Sequence, residues 1–311
     1  MRIAAPGASR GYPYGGTAYA NPDAVTQIAN GLSTTTFTYD NNGNVTQKTV
    51  DGTTTTYVYD YANRLTALGV LGATTTYAYD AFGQRVLQTG TTTTYLYPFK
   101  WYSVASSTGT GAKFATTTDY MFNGDSVVAT VDQQTANGNA TGTAKTRYVH
   151  PDHLGSTNVV TDENDNVVQT LDFYPYGGTR ISSATSTNER QKFIGQFSDD
   201  SGLSYLQHRY YSPAQGQFIS EDPVFLNIGS PVAEQLAQRK LKDILIDPQQ
   251  LNSYSYAEDN PVTAKDPSGL ITTKAAAVLG LYAQVINLLV KSWFSSAEGV
   301  HQIQFPRQPL C

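Results

Sequence analysis

A short aromatic segment recurs three times in the first third of the chain, at a spacing of 20 residues. The segments end in the pairs Tyr39-Asp40, Tyr59-Asp60 and Tyr79-Asp80. Aromatic residues that alternate with small or polar ones are typical of a strand with one buried face, and turn-forming residues follow each pair. One period has room for two strands and their turns. The repeat therefore predicts stacked antiparallel hairpins, each of which needs its neighbours to bury a face.

Composition supports a mainly β protein and limits its partners. Of 311 residues, 22 are tyrosine and only 14% are charged. Tyrosine and threonine both suit a pleated, half-buried surface. A formal net charge of -5 argues against a nucleic-acid partner, which needs a basic face. The single cysteine, Cys311, allows no internal disulfide, and the N-terminus lacks the apolar segment of a secretory signal. We expect the chain to be a piece of a longer protein.

From residue 147 the repeats give way to short blocks rich in aromatic residues, glycine and proline. These blocks are His150-Pro151-Asp152-His153-Leu154-Gly155, Phe173-Tyr174-Pro175-Tyr176-Gly177, Arg209-Tyr210-Tyr211-Ser212-Pro213, Gly216-Gln217-Phe218, Glu221-Asp222-Pro223, Asn252-Ser253-Tyr254, Asp259-Asn260-Pro261 and Asp266-Pro267-Ser268-Gly269-Leu270. Together with the repeats, they resemble the YD repeats and repeat-associated core of the Rhs (rearrangement hotspot) family. That family includes the C component of Tc toxins. The resemblance covers roughly residues 20–270.

The resemblance implies a hollow β-shell whose wall is built from the hairpins and whose core domain plugs one end. We therefore expect a mainly β fold of stacked antiparallel hairpins, forming part of such a shell, with a helical insertion near 231–246 and a helical C-terminal tail. The expected segments, in order, are a degenerate repeat and N-terminal segment (1–34), the YD-repeat region (35–146), the core domain (147–270) and a variable C-terminal segment (271–311).

Residues 224–250 interrupt the pattern of the family, which passes from one block to the next in a few residues. Ser230 suits a helix N-cap, and Pro231 suits the first helical position. These signals predict a helix over 231–246. Its apolar residues, expected to share one face, are Val232, Leu236, Leu241, Ile244 and Leu245.

A second helix is predicted over 273–298, where the composition changes to alanine, leucine and valine. Its apolar part, 275–294, is long enough to span a bilayer. Three polar residues interrupt this part, which favours an amphipathic or buried helix over a membrane span.

Asp222 and Asp266 each precede a proline, in the blocks Glu221-Asp222-Pro223 and Asp266-Pro267-Ser268-Gly269-Leu270. Two Asp-Pro pairs 44 residues apart are, taken alone, most simply turns. Two carboxyl groups held close together do not both ionise easily, so one can act as an acid and the other as a base. In the Rhs family this pair is associated with self-cleavage after the terminal leucine, here Leu270. The resemblance thus implies that Asp222 and Asp266 are catalytic residues of an intramolecular, aspartyl-type cleavage.

No other site of chemistry is expected. The spacing of His150 and His153 could suit a metal, but two imidazoles in a turn are more simply hydrogen-bonded there. Asp162 begins a segment that imitates a calcium loop, but Val167 stands where the loop needs glycine. We expect no cofactor, no metal site and no activity on other substrates.

The resemblance implies the C-terminal part of a polymorphic-toxin-type protein, which encloses a C-terminal effector and releases it by cleavage after Leu270. Expected partners are its own C-terminal segment as cargo, secretion machinery and an immunity protein, and the expected location is secreted or at the cell surface. Two alternatives remain: a non-cleaving cell-surface adhesion or glycan-binding protein, and a remnant that has lost its effector.

Overall fold

The structure, a computed structural model, describes residues 10–11, 23–108, 114–185, 189–270 and 272–274. The strands of the large sheet are β1 (Arg10–Gly11), β2 (Gln27–Asn30), β3 (Ser33–Tyr39), β4 (Val45–Val50), β5 (Thr53–Tyr59), β6 (Leu65–Val70), β7 (Ala73–Tyr79), β8 (Arg85–Thr89), β9 (Thr93–Phe99), β10 (Tyr102–Ser107), β11 (Phe114–Asn123), β12 (Ser126–Ala136), β13 (Asn139–Ala140), β14 (Lys145–Pro151), β15 (Thr157–Thr161), β16 (Val167–Phe173) and β17 (Thr179–Ala184).

The later elements are shorter. A small sheet contains β18 (Phe197–Ser198), β19 (Ser204–Leu206), β20 (Arg209–Ser212) and β21 (Gln217–Phe218), and a two-stranded ladder contains β22 (Ala264–Lys265) and β23 (Thr273–Lys274). The α-helices are α1 (Pro223–Leu226), α2 (Pro231–Ala237) and α3 (Leu241–Leu245), and single 3-10 turns lie at Phe193–Gly195, Pro248–Gln250 and Ala257–Asp259.

Strands β2–β17 form one antiparallel meander, which we call the wall (residues 27–184). Each strand pairs with the next along the chain, except that β12 pairs with both the short β13 and with β14. The threonine-rich strands β3, β5, β7 and β9 alternate with β4, β6 and β8, so that Thr54, for example, pairs with Thr49 of β4. The predicted mainly β fold of stacked antiparallel hairpins is confirmed.

The repeated aspartate of each Tyr-Asp pair closes a turn. Asp60 Oδ1 accepts hydrogen bonds from the backbone N–H groups of Ala62 and Arg64, both at 2.9 Å. The residue between them, Asn63, has a φ of 58°, a conformation that asparagine and glycine tolerate best. The same side-chain bonds recur at Asp40, Asp80, Asp152 and Asp162. The repeat aspartates are therefore turn residues.

The first aromatic residue of each repeat faces the core segment (residues 189–270), which lies against the wall. Phe37, Tyr57 and Tyr77 are buried together with Tyr210 and Ile219 of the core segment. Large buried aromatic side chains dominate the hydrophobic stabilisation of such a contact. The repeat thus gives the wall an apolar face on which the core segment packs.

A buried ion pair crosses the same contact. Arg85 Nη1 of β8 lies 2.6 Å from Asp199 Oδ2, and the two side chains are 1% and 0% exposed. The guanidinium also lies over the rings of Tyr97 and Tyr205, at 4.8 and 4.5 Å from the centroids. Burial raises the pKa of Asp199, and the charge of Arg85 opposes that effect.

The predicted helical insertion is confirmed, but not as one helix with one apolar face. Gln238 follows α2 with a φ of 50°, so the chain turns before α3 begins. Ala233 and Ile244 are therefore buried, whereas Val232 and Leu245 are 42% and 45% exposed. The expected shared face is wrong because the left-handed residue between the helices changes which residues point inward.

Two further expectations about helices are corrected. Helix α1 at Pro223–Leu226 lies outside the predicted range; it forms because Asp222 caps it and Pro223 begins it. Thr273–Lys274, predicted to start a helix, are strand, because their backbone pairs with Ala264–Lys265. The rest of the predicted helical tail, including the apolar run 275–294, lies outside the described residues. Within the described ranges, no helix is both long and apolar enough to cross a membrane.

Candidate functional site

Asp222 lies in the link between β21 and α1. Its Oδ1 accepts a hydrogen bond from the backbone N–H of Val224 at 2.8 Å, which makes Asp222 the N-cap of α1. The side chain is largely buried. One carboxyl oxygen is thus held by the helix, and the other is available to a second partner.

Asp266 organises the loop that ends at Leu270. Its Oδ1 accepts hydrogen bonds from the backbone N–H groups of Gly269 and Leu270, at 2.8 and 3.2 Å, and from Ser268. Gly269 has a φ of 72°, and a Cβ there would lie 2.7 Å from the carbonyl oxygen of Leu206. Only glycine satisfies both the conformation and the close approach. The Asp-Pro-Ser-Gly-Leu block is therefore a tight loop wound around one carboxylate.

The structure brings both aspartates to one buried arginine. Nη2 of Arg209 lies 2.8 Å from Asp222 Oδ2 and 3.6 Å from Asp266 Oδ2. Its Nη1 donates to the carbonyl oxygen of Ser253 at 2.6 Å, and its Nε donates to that of Gly269. The guanidinium also lies 3.6 Å from the ring centroid of Phe218. Arg209 therefore links the two Asp-Pro pairs, Asp222-Pro223 and Asp266-Pro267.

Arg209 was not among the residues predicted from sequence. A signal existed, because an arginine in a run of buried strand residues needs charged partners. Its position also changes the expected electrostatics, since the two carboxylates share a cation instead of simply repelling each other. Burial raises the pKa of Asp222 to about 6, and the charge of Arg209 opposes that rise. Asp222 can therefore carry a proton in mildly acidic solution and act as an acid.

Leu270 packs against the insertion. It contacts an apolar cluster of Val224, Ala233, Ala237 and Ile244, which come from α1, α2 and α3. A cavity of about 60 Å³ lies between these helices and the three charged side chains, which is enough space for water. The insertion thus covers the site without filling it.

The other residues considered from sequence have structural partners. His150 Nε2 lies 3.1 Å from Thr161 Oγ1, and His153 Nε2 lies 2.9 Å from the carbonyl oxygen of Val262. Asp162 caps a hairpin turn, and its hydrogen bond with Asn166 is the main cause of a lowered pKa. The described part of the chain has no group of three or more His, Cys, Asp or Glu side chains placed to hold a metal ion.

The curated proteins that this chain resembles in sequence include several bacterial toxins. The chain is 32% identical over 151 residues to double-stranded DNA deaminase toxin A of Burkholderia cenocepacia, covering 47% of this chain and 9% of that protein. It is 31% identical over 151 residues to toxin protein Tse5 of Pseudomonas aeruginosa (46% and 9%), and 28% identical over 128 residues to toxin subunit YenC1 of Yersinia entomophaga (40% and 11%). No family model matches the chain.

Solved structures show the same fold. The TcdB2–TccC3–TEV crystal structure superposes with a TM-score of 0.56 at 19% identity, covering 78% of this chain and 13% of that one. The TcdB2–TccC3 crystal structure gives a TM-score of 0.55 at 20% identity and covers 78% of this chain and 14% of that one. This chain is related to the Rhs/Tc-type toxins. It spans only about a tenth of the length of these Rhs-type relatives.

Proposed function

We propose that this chain is the C-terminal part of an Rhs-type shell protein that cuts its own backbone after Leu270. The observation that supports the proposal is the meeting of Asp222, Asp266 and Arg209 beside the loop that ends at Leu270. Two carboxyl groups with different roles can supply the general acid and the general base for hydrolysis of an amide.

In the proposed reaction, the carboxylate of Asp266 takes a proton from a water molecule as the water oxygen attacks the carbonyl carbon of Leu270. Protonated Asp222 gives its proton to the amide nitrogen of Ile271 as the carbon–nitrogen bond breaks. The products are a carboxyl group on Leu270 and an amine on Ile271, and a proton passes from Asp266 back to Asp222. Arg209 lies beside both carboxyl groups and stabilises the single negative charge that passes from Asp266 to Asp222 during the step.

The proposed consequence is release of residues 271–311 from the core segment. In this proposal the wall is one part of a shell that encloses the released segment as cargo, with the remaining wall supplied by sequence outside this chain. The proposed boundaries lie after residues 34, 146 and 270. Delivery by secretion machinery, an immunity protein as partner and a secreted or cell-surface location belong to the same proposal.

The intact mass of the purified full-length chain, measured under denaturing conditions from pH 4 to 8, tests the cleavage. We expect the wild-type chain to give a fragment that begins at Ile271, at a rate that falls as the pH rises through about 6, the pKa of Asp222. Asp222→Asn and Asp266→Asn should each abolish the cut, and the double variant should be no worse, because the pair acts as a unit.

Asp162→Asn is the matched control, since Asp162 is also a turn aspartate but lies in a hairpin of the wall. It should cleave at the wild-type rate. A fragment beginning at Ile271 from Asp266→Asn would contradict the catalytic role, and a wild-type chain that stays whole at every pH would contradict the cleavage itself.

A non-cleaving glycan-binding protein is the second candidate. Phe99 and Trp101 stack with centroids 5.4 Å apart and planes 9° apart, and each is 58% exposed. Exposed aromatic faces of this kind can stack on sugar rings. Glycan-array binding that is lost in Trp101→Ala, together with an uncut wild-type chain, would favour this function.

A further inference from the structure

The turn of the first Tyr-Asp repeat, Asp40–Val45, touches the core segment beside the proposed cleavage site. The backbone N–H of Val45 donates to the carbonyl oxygen of Ile219 at 2.9 Å. Ile219 lies three residues before Asp222 in the chain and is buried with Val45 in one apolar cluster. The wall is therefore hydrogen-bonded to the end of the strand that leads into Asp222.

The same turn also reaches the residues that hold Arg209. The hydroxyl of Tyr254 donates to the carbonyl oxygen of Gly43 at 2.6 Å, and its ring makes an edge contact with Tyr39 at 5.9 Å. The preceding residue, Ser253, accepts a hydrogen bond from Arg209. Gly43 contacts Tyr254, and the residue next to Tyr254 accepts a hydrogen bond from the guanidinium that contacts both aspartates.

A side chain at position 43 would force its neighbours in the core segment to move. A Cβ there would lie 2.7 Å from the Tyr254 hydroxyl oxygen and 2.9 Å from Oε2 of Glu221, the neighbour of Asp222. At the equivalent position of the third repeat, Gly83, the nearest atom to an added Cβ is 3.9 Å away. The two glycines share a positive φ, 77° and 82°, so what differs between them is the contact with the core segment.

From these contacts we infer that the first-repeat turn is part of the cleavage machinery: Gly43 and Tyr254 are positioning residues that set Arg209 and Asp222 in their reactive arrangement. The inference rests on the proposed function. It means that the core segment alone does not hold a complete site. Cleavage then requires the first repeat to be docked, so the cut follows closure of the wall onto the core segment.

Paired glycine substitutions test the inference in the full-length chain. Gly43→Ala and Gly83→Ala carry the same backbone cost of a side chain at positive φ. Only Gly43→Ala disturbs the site, so we expect it to slow cleavage by about tenfold or more, as small misplacements of reacting groups do. Gly83→Ala should keep the wild-type rate within about twofold. Gly83→Ala should lower the melting temperature only through the shared backbone cost, and Gly43→Ala should lower it further, because its Cβ also meets Tyr254 and Glu221.

A double-mutant cycle separates positioning from general damage. Tyr254→Phe removes the oxygen atom that an alanine at position 43 would meet. In the Tyr254→Phe background, the effect of Gly43→Ala on the cleavage rate should therefore be about threefold smaller than in the wild-type background. Equal effects in the two backgrounds would overturn the inference. So would equal rates for Gly43→Ala and Gly83→Ala.

A titration that does not depend on cleavage completes the test. In the uncut Asp266→Asn chain, the ionisation of Asp222 can be followed by carbon-13 NMR of its carboxyl group, which faces Arg209, position 266 and Glu221. Gly43→Ala should move the midpoint by displacing Glu221, and Gly83→Ala should leave it unchanged. If the wild-type chain never cuts, the proposed function is wrong. If Gly43→Ala and Gly83→Ala give the same midpoint for Asp222, the positioning role is wrong, whether or not the chain cuts.

Discussion

Glu189 is a buried carboxyl group in the contact between the wall and the core segment. Its backbone N–H donates to Gln169 Oε1 of the wall at 2.8 Å, and its own Oε1 accepts from the backbone N–H of Gln191 at 2.9 Å. Burial raises the pKa of Glu189 to about 7 from its ordinary 4.5, although the bond from Gln191 opposes the rise. The group is therefore more protonated in the folded chain than in the unfolded one.

This raised pKa predicts a loss of stability as the pH increases. Below about pH 4.5, Glu189 is protonated in both the folded and the unfolded chain, and the free energy of unfolding is at its highest. As the pH rises from there through about 7, the free energy of unfolding falls, because unfolding lets the group ionise in water. The loss amounts to about 3 kcal/mol between pH 4 and 8. Glu189→Gln should remove this slope.

Urea unfolding of wild type and Glu189→Gln at pH 4, 6 and 8 measures the difference. Asp222, whose pKa is also raised, gives a slope of the same sign in both proteins and cancels in the comparison. Parallel pH profiles for the two proteins would show that Glu189 is not protonated in the folded chain.

At the scale of elements, the insertion is a lid of short helices over Leu270. Ile244 of α3 is buried in the cluster that Leu270 contacts, whereas Val232 of α2 is 42% exposed. Ile244→Ala should lower the free energy of unfolding by about 2–4 kcal/mol through the cavity that it leaves. Val232→Ala should change it by less than about 0.5 kcal/mol. Chemical unfolding of the two variants checks this, and equal losses would place Ile244 outside the core.

The elements also show where reasoning from sequence succeeds. Ser230 and Pro231 begin α2 as predicted, because capping is a local property of adjacent residues. The start of α3 depends on Glu234, whose Oε1 accepts a hydrogen bond from the backbone N–H of Leu241 at 3.0 Å. That bond exists only after the chain has turned at Gln238, so the two-helix form could not be derived from the apolar pattern alone.

The same distinction applies to the candidate site. Asp222 and Asp266 were predicted from a family resemblance, and each lies in a turn that its own neighbours build. Arg209 and the contact of Gly43 with Tyr254 were not predicted, because they join segments that are far apart in the chain. The sequence around Arg209 indicates only that the arginine needs charged partners; which partners it meets is set by how the segments pack in the fold.

At the scale of the whole described molecule, the buried pair Arg85–Asp199 fastens the wall to the core segment. Arg85→Leu should destabilise the chain by about 3–5 kcal/mol, because it leaves Asp199 without its close cation in a buried site. Arg85→Leu combined with Asp199→Leu should be less damaging, since the pair is then replaced by apolar groups of similar size. Thermal unfolding of the three proteins tests this order. A double variant less stable than Arg85→Leu would contradict it.

The ladder between β22 and β23 has a mechanical consequence for the chain beyond Leu270. Ala264 pairs with Lys274 and Lys265 with Thr273, so backbone on both sides of the proposed cut is attached to the core segment. After hydrolysis beyond Leu270, the two pieces would still be paired at this ladder. Departure would be a separate step, in which the short strand is peeled away residue by residue. Because the ladder has only two residue pairs, a small force applied from the C-terminal side would separate its strands one pair at a time. Hydrolysis of the backbone and departure of the segment could therefore be triggered at different times.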